Sequence, residues 1–158
     1  MNIRICCVGK LKERCYIEAC GEFQKRLSRY CNLSVAEVAD EKAPEKLSIA
    51  EQEQVKAKEG RRLLANVGER DYLIALTIDG DKPDSEQLAR RIRAYRDSGK
   101  ELAFAIGGSL GLSNEVLERA DERLSLSALT LPHRFARLLL LEQLYRSFKI
   151  IGNEPYHK

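Results

Sequence analysis

The stretch YLIALTIDGDKPDSEQLARRIRAYRDSGKELAFAI, residues 72–106, decides the fold of this chain. It contains two nearly continuous apolar runs, LIALTI (73–78) and ELAFAI (101–106). Runs of this kind are typical of strands that are buried on both faces of a parallel sheet. The segment that begins at Asp84-Ser85 has apolar residues at helical spacing, namely Leu88, Ile92 and Tyr95. The stretch therefore predicts two parallel strands joined by a helix.

The same alternation of strand and helix patterns extends in both directions from this unit. Upstream, we predict strands at 3–8 (IRICCV) and 33–38 (LSVAEV), and helices at about 13–30 and 48–65. The second of these helices opens with a capping box, Ser48 to Glu51. Downstream, we predict a short helix capped by Ser113, a brief strand at 124–126, and a long helix at 134–151. The order predicts one α/β domain, residues 1–158, with a mainly parallel sheet flanked by helices.

Composition and charge narrow the class of protein. The chain has 158 residues, 44% hydrophobic and 32% charged, which is ordinary for a soluble globular protein. The longest apolar runs fall short of the roughly 18 residues that a membrane span needs, and the apolar run after Arg4 is too short for a signal peptide. We therefore expect a cytoplasmic protein. The net charge of +3 arises within residues 132–158, which hold five cations and two anions.

The residues that usually signal metal binding or hydrolysis are sparse. The five cysteines, at positions 6, 7, 15, 20 and 31, include no pair at CxxC spacing, so we expect buried free thiols. The only histidines are His133 and His157, and neither belongs to a Ser-His-Asp or metal-ligand pattern. This disfavours a hydrolase or a metalloenzyme. It favours a reaction in which the cofactor supplies the leaving group and the protein mainly positions the reactants.

Three polar or glycine-rich segments follow predicted strands, at 79–83, 107–111 and 127–132. Ligands of open α/β sheets bind beyond the carboxyl ends of the strands. The glycine segment has the pattern GGxxG, which is neither the GxGxxG of dinucleotide binders nor a P-loop. Two interpretations stay open for it: a ligand-binding loop, or a tight turn between strand and helix.

The end of the chain carries two further signals. The last helix is apolar on every side at Leu138–Leu141, so it must be buried on every side. A second copy of the chain is the simplest cover, which predicts a homodimer, whereas a helix central to one monomer core is the alternative. Chain ends usually fray. The aromatic, imidazole and cationic groups of Tyr156, His157 and Lys158 therefore suggest a tail that contacts a ligand or partner.

Four segments together resemble the RlmH family, bacterial SPOUT-class methyltransferases of ribosomal RNA. They are AIGGSLGL (105–112), LSLSALTLPH (124–133), EQLYR (142–146) and the terminal YHK (156–158). The resemblance covers the whole chain, from VGKLKE (8–13) through DEKAPE (40–45) to the last residue. The combination is highly specific, although no single piece of it would be.

The resemblance implies a C-terminal trefoil knot, a homodimer and S-adenosylmethionine as cofactor. It implies methylation at N3 of a pseudouridine in 23S rRNA on the assembled ribosome, without a metal ion or a membrane. By matching positions, it implies a set of cofactor-binding residues: Leu76, Gly107, Gly108, Leu126, Ser127, Ala128, Leu129, Thr130 and Leu131.

Roles for the remaining candidates are hypotheses. Tyr156 and His157 place the base or assist removal of the N3 proton, and Arg137 and Lys158 hold RNA phosphate. His133 contacts the RNA or shapes the cofactor loop. Two alternatives stay open: a nucleotide-binding α/β protein that binds RNA without methyl transfer, and an enzyme of another class such as a dehydrogenase.

Overall fold

The computed structural model describes residues 1–156, which form a five-stranded sheet flanked by five helices. The strands are β1 (Asn2–Val8), β2 (Asn32–Val38), β3 (Tyr72–Asp81), β4 (Leu102–Ile106) and β5 (Glu122–Leu124). The helices are α1 (Arg14–Leu27), α2 (Ile49–Leu64), α3 (Ser85–Asp97), α4 (Asn114–Arg119) and α5 (His133–Ile151). The strand order is β2-β1-β4-β3-β5, and all four pairs of neighbours are parallel. The predicted α/β class is confirmed, and the trefoil knot stays a prediction.

Two hydrophobic cores lie on opposite faces of the sheet, because side chains alternate along each strand. Phe104 faces the core formed with α1, α3 and α5, whereas its neighbours Ala103 and Ala105 face the core formed with α2 and α4. Phe104 is fully buried, and burying a side chain of this size contributes roughly 1.5–3 kcal/mol. The nearly continuous apolar runs of the sequence are explained by these two covered faces.

Three helices begin at capping residues that the sequence identifies. The Glu51 N–H donates to Ser48 Oγ at 3.3 Å, and the Ser48 N–H donates to Glu51 Oε2 at 2.8 Å, which completes the predicted capping box. The Gln87 N–H donates to Asp84 Oδ1 at 2.7 Å. Ser113 caps α4 in the same way. Each cap is worth about 1 kcal/mol, so local sequence fixes where these helices begin.

The predicted strand at 124–126 is wrong by two residues, because β5 spans Glu122–Leu124. Leu124 pairs with both Leu76 and Asp81 of β3, so residues 77–80 leave the ladder. The Ser125 N–H then bonds to the Asp81 carbonyl at 2.8 Å, and the chain turns away from the sheet. This irregularity in β3 shapes the cavity described below.

The cysteines are all free, as predicted, but Cys15 is exposed and only the other four are buried. Burial raises the pKa of Cys6 to about 11 and that of Cys7 to about 12. These two thiols are therefore protonated at neutral pH and unreactive. No helix within residues 1–156 is long and apolar enough to cross a membrane.

Candidate functional site

A cavity of about 450 Å³ lies at the carboxyl ends of β3, β4 and β5. This is where open α/β sheets bind ligands, and the volume is typical of small-molecule sites. The start of α5 closes one side through His133 and Ala136. The other walls are built from three segments, residues 76–79, 106–112 and 124–131.

The first wall is the irregular part of β3. Because Thr77, Ile78 and Asp79 leave the ladder, they line the cavity next to Leu76. β3 comes close to β5 again at Gly80. Only glycine fits at this position, because an added Cβ would lie 2.7 Å from the Leu124 carbonyl carbon. Thr77 was not predicted, and its hydroxyl is buried without a hydrogen-bond partner among the described residues.

The second wall is the glycine segment, which is a tight turn as well as part of the cavity. An added Cβ on Gly107 would lie 2.6 Å from the Gly111 carbonyl oxygen, so only glycine permits the turn. The Gly111 N–H donates to the Gly108 oxygen at 3.1 Å, and Gly111 has a φ of +85°. The GGxxG segment is therefore a tight turn and also part of the cavity wall, because the turn brings its backbone to the cavity.

The third wall is held by serine hydroxyls. Ser125 Oγ donates to the Ser127 carbonyl at 2.8 Å, and the Leu129 N–H donates to Ser127 Oγ at 3.0 Å. These local bonds stabilise the loop without regular secondary structure. Leu129 is 73% exposed at the mouth of the cavity, which leaves an apolar side chain available to a ligand or partner.

Eight of the nine predicted cofactor residues line this cavity, and only Ala128 does not. The eight are Leu76, Gly107, Gly108, Leu126, Ser127, Leu129, Thr130 and Leu131. Their walls consist mainly of backbone and apolar side chains. Such walls suit a neutral heterocycle such as adenine, which packs against apolar groups and bonds to backbone amides.

The described lining of the cavity carries little charge and no lysine or arginine that would repel a cationic ligand. Among the described residues that line it, Asp79 is the one carboxylate, and there is no lysine or arginine. Asp79 is itself 3.9 Å from the Arg123 guanidinium, which lies outside the lining. Within residues 1–156, no group of three or more His, Cys, Asp or Glu side chains is arranged to hold a metal ion.

His133 is the titratable group in the cavity wall whose pKa is shifted. Burial lowers the pKa of its imidazole below the ordinary value, and the charge of Arg137 lowers it further, while Asp40 acts in the opposite direction. The ring is therefore mainly neutral at pH 7. Its placement fits the hypothesis that it shapes the cofactor loop.

The position of Arg137 argues against the phosphate contact hypothesised for it. The side chain is only 3% exposed, forms an ion pair with Glu37, and donates to the Gly9 carbonyl at 3.0 Å. Burial alone would raise the Glu37 pKa, but hydrogen bonds from Arg137 and the Leu11 N–H outweigh it and lower the pKa. A guanidinium used in this way is not available to RNA.

Tyr156 lies along the second half of α5 and is not among the residues that line the cavity. The Tyr156 hydroxyl donates to Glu142 Oε1 at 3.1 Å, and its ring packs edge-on against Tyr145 at 4.9 Å. Burial, and then the Glu142 carboxylate, raise the Tyr156 pKa, so the phenol keeps its proton and is a poor base here. His157 and Lys158, the other predicted tail residues, lie outside the described residues.

Glu59 of α2 is a further residue at this edge of the sheet that sequence reasoning missed. It is 4% exposed and accepts a hydrogen bond from the Glu41 N–H at 2.9 Å. Its Oε2 has no partner among the described residues and lies 3.0 Å from where a Cβ on Gly108 would be. Burial raises its pKa. The one sign of this packing in the sequence was the neighbouring Gly60, because glycine is unfavourable in a helix interior. Glycine is required there because Ser113 packs against it.

Comparison with known proteins identifies the family. The model of a family described as "Predicted SPOUT methyltransferase" matches residues 1–157. The chain belongs to the SPOUT methyltransferase family. Full-length relatives named ribosomal RNA large subunit methyltransferase H are 52% identical in Listeria monocytogenes, 54% in Shouchella clausii and 52% in Clostridioides difficile, and each alignment covers 100% of both chains.

Two solved structures share the SPOUT methyltransferase fold at low sequence identity. A probable methylase family protein from Haemophilus influenzae is 18% identical, with a TM-score of 0.55, covering 96% of this chain and 66% of that one. A putative methylase family protein from Neisseria gonorrhoeae is 13% identical, with a TM-score of 0.54, covering 99% of this chain and 86% of that one. At these identities the likeness shows the fold alone.

Proposed function

We propose that the protein transfers the methyl group of S-adenosylmethionine to N3 of a pseudouridine in 23S rRNA, acting on the assembled ribosome in the cytoplasm. The observation that carries the proposal is the cavity at the carboxyl edge of the sheet. It is built from the segments that resemble the RlmH family, within a chain 52–54% identical to ribosomal RNA large subunit methyltransferase H proteins.

The cavity residues fit this cofactor on physical grounds. Leu126, Leu131 and the glycine turn offer an apolar slot with backbone groups for adenine. Asp79, with no lysine or arginine among the described lining residues, suits a sulfonium cation. When bound, the cofactor supplies an activated methyl group with its own leaving group. The chain then has to bind the reactants, exclude water and align the target nitrogen with the methyl carbon.

We propose that the active unit is a homodimer in which one subunit's tail serves the cavity of the other. Tyr156 bonds to Glu142, nine residues along α5 from His133 at the cavity. Nine residues of helix span roughly 13 Å, and Tyr156 is not among the residues that line the cavity of its own chain. Tyr156 and His157 would meet the target nucleotide there, with the Tyr156 hydroxyl acting as a hydrogen-bond donor and not as the base.

The proposal is tested by methyl transfer from labelled S-adenosylmethionine to ribosomes that lack the modification. We expect incorporation at one pseudouridine. Absence of transfer, together with retained RNA binding, would favour the alternative of an RNA-binding protein without catalysis. Calorimetric titration with S-adenosylmethionine and with NADH distinguishes the proposed methyltransferase from a dehydrogenase. We expect S-adenosylmethionine to bind and NADH not to bind.

Substrate form gives a second test. The net charge of +3 per chain makes about +6 for a dimer, which is modest for gripping bare RNA. We therefore expect efficient methylation of intact ribosomes and weak binding to isolated rRNA fragments. Equal activity on naked 23S rRNA would contradict the assembled-ribosome part of the proposal.

The tail is tested with the double variant Y156A/H157A. We expect its cofactor affinity to stay within about twofold of wild type, while methyl transfer falls by roughly 100-fold or more, in the range typical of a lost acid–base or positioning group. Unchanged turnover would exclude the tail from the reaction. The single variant Y156F keeps the ring and removes only the hydroxyl, so it separates hydrogen bonding from packing.

A further inference from the structure

We propose that the loop Gly9–Glu13 is a second RNA contact, in which Lys10 and Lys12 bind backbone phosphates next to the cavity. This inference rests on the proposed function, because it takes RNA as the substrate. Arg137, which the sequence suggested for this task, is buried and engaged with Glu37. A contact with phosphate therefore has to come from other cations near the cavity.

The loop lies beside the cavity, separated from it by one side chain. It follows β1, which is the parallel neighbour of β4 in the sheet, so both strands end at the same edge. An added Cβ on Gly9 would lie 3.6 Å from Nε2 of His133, and His133 lines the cavity. RNA that places a base in the mouth of the cavity would therefore pass its adjacent phosphates over this loop.

The backbone of the loop is fixed by hydrogen bonds. The Gly9 N–H donates to the Val38 carbonyl at 2.8 Å, and the Leu11 N–H donates to Glu37 Oε1 at 3.3 Å. Gly9 has a φ of +83°, which directs the chain out of β1. A loop held in this way loses little backbone entropy when it binds, which favours a preformed contact.

Two carboxylates around the loop are paired with arginines of α5, which reduces the extent to which they cancel the positive charge of the lysines. Glu37 forms an ion pair with Arg137, and Glu13 forms one with Arg134. Lys10 and Lys12 are both exposed, and within residues 1–156 neither ammonium group has an ion-pair partner within 4 Å. The buried arginine thus serves RNA binding indirectly, because it pairs with Glu37, whose charge also interacts with that of Lys10.

The inference is tested with the double variant K10Q/K12Q and a control of equal charge, K25Q/R70Q. Lys25 and Arg70 are exposed near the opposite, amino-terminal edge of the sheet. We expect K10Q/K12Q to raise the KM for ribosomes roughly tenfold with kcat nearly unchanged, and to reduce the slope of log affinity against log salt by about 2. Cofactor affinity should not change, and K10R/K12R should behave as wild type.

Direct binding of the same variants to ribosomes by sedimentation separates failure of this inference from failure of the proposed function. If wild type transfers no methyl group, the proposed function fails, and the binding data still decide whether the loop contacts RNA. Equal affinity and equal salt slope for wild type and K10Q/K12Q would overturn the inference. An equal loss in K25Q/R70Q would also overturn it, because the effect would then be one of net charge alone.

Discussion

Arg137 of α5 and Glu37 of β2, a hundred residues apart in the sequence, form an ion pair at the carboxyl edge of the sheet. The guanidinium is 3% exposed and the carboxylate 30% exposed. The same arginine donates to the Gly9 carbonyl at 3.0 Å, so one side chain ties together α5, β2 and the loop after β1. The pair therefore determines how the start of α5 sits over the cavity.

Removing the arginine should destabilise the fold. We expect R137M to lower the free energy of unfolding by about 2–3 kcal/mol, somewhat less than the roughly 3–5 kcal/mol for breaking a fully buried pair, because Glu37 keeps contact with water. R137M/E37Q should recover part of the loss, since no unpaired charge remains. Urea denaturation measures both. The exposed pair Arg93–Asp97 supplies the control, and R93M should cost no more than about 0.5 kcal/mol.

A methyl group at Gly107 should disrupt the cavity. The added Cβ would meet the Gly111 carbonyl at 2.6 Å, so the turn must open. We expect G107A to weaken S-adenosylmethionine binding at least tenfold in calorimetry. Gly21 of α1 has no atom within 4 Å of an added Cβ, so G21A should raise stability by about 0.5–1 kcal/mol and leave cofactor affinity unchanged. Wild-type affinity in G107A would show that the turn does not shape the site.

Much of the fold was predictable from the sequence, because its signals are local. Residues 73–75 and 102–106 are strand segments with both faces covered, and Ser48, Asp84 and Ser113 cap helices as expected. The end of the first apolar run differs, because Ile78 is 55% exposed. The boundary of β5 was not predictable. It depends on Leu124 pairing with both Leu76 and Asp81, which is a property of the assembled sheet.

The position of the candidate site was predictable from the sequence, but the burial of the charged residues around it was not. Parallel strands end at one edge, so strand-end segments were expected to meet there. The segments 107–111 and 127–132 supply cavity residues, but the prediction of 79–83 was largely wrong, because β3 continues to Asp81 and only Asp79 of that segment lines the cavity. Nothing in the sequence shows that Arg137 is buried, because its partners Glu37 and Gly9 come from distant elements. Glu59 was missed for the same reason, since burial of a helical glutamate depends on the loop packed above it.

Cofactor binding should depend on the protonation of His133. Burial lowers the pKa of its imidazole below the ordinary value, so the ring is mostly neutral above about pH 6.5 and affinity should change little there. Below that, protonation places a cation in the wall of a site proposed to hold a sulfonium, and calorimetry should show weaker binding. The H133Q variant should not show this decrease in cofactor affinity at low pH. Identical pH profiles would exclude a role for the imidazole.

The same group makes the stability of the fold depend on pH. Because the folded state binds the His133 proton less tightly than the unfolded chain does, the unfolded chain is protonated first as the pH falls. Stability should therefore decrease as the pH falls from about 6.5 through the folded-state pKa, and then level off for this group. In urea denaturation, H133Q should lose less stability than wild type over this pH range.

The proposed homodimer should depend on Phe135, which is 41% exposed at the start of α5. This end of α5 is held beside the start of α1 by the Arg134–Glu13 ion pair. In an isologous interface each substitution acts twice, and burying the exposed part of each Phe135 ring contributes roughly 1 kcal/mol. F135D should therefore weaken dimerisation by at least about tenfold in sedimentation velocity. Ile49, 80% exposed on α2 across the sheet, is the control, and I49D should remain dimeric. A dimer that is as tight in F135D as in wild type would place the interface elsewhere.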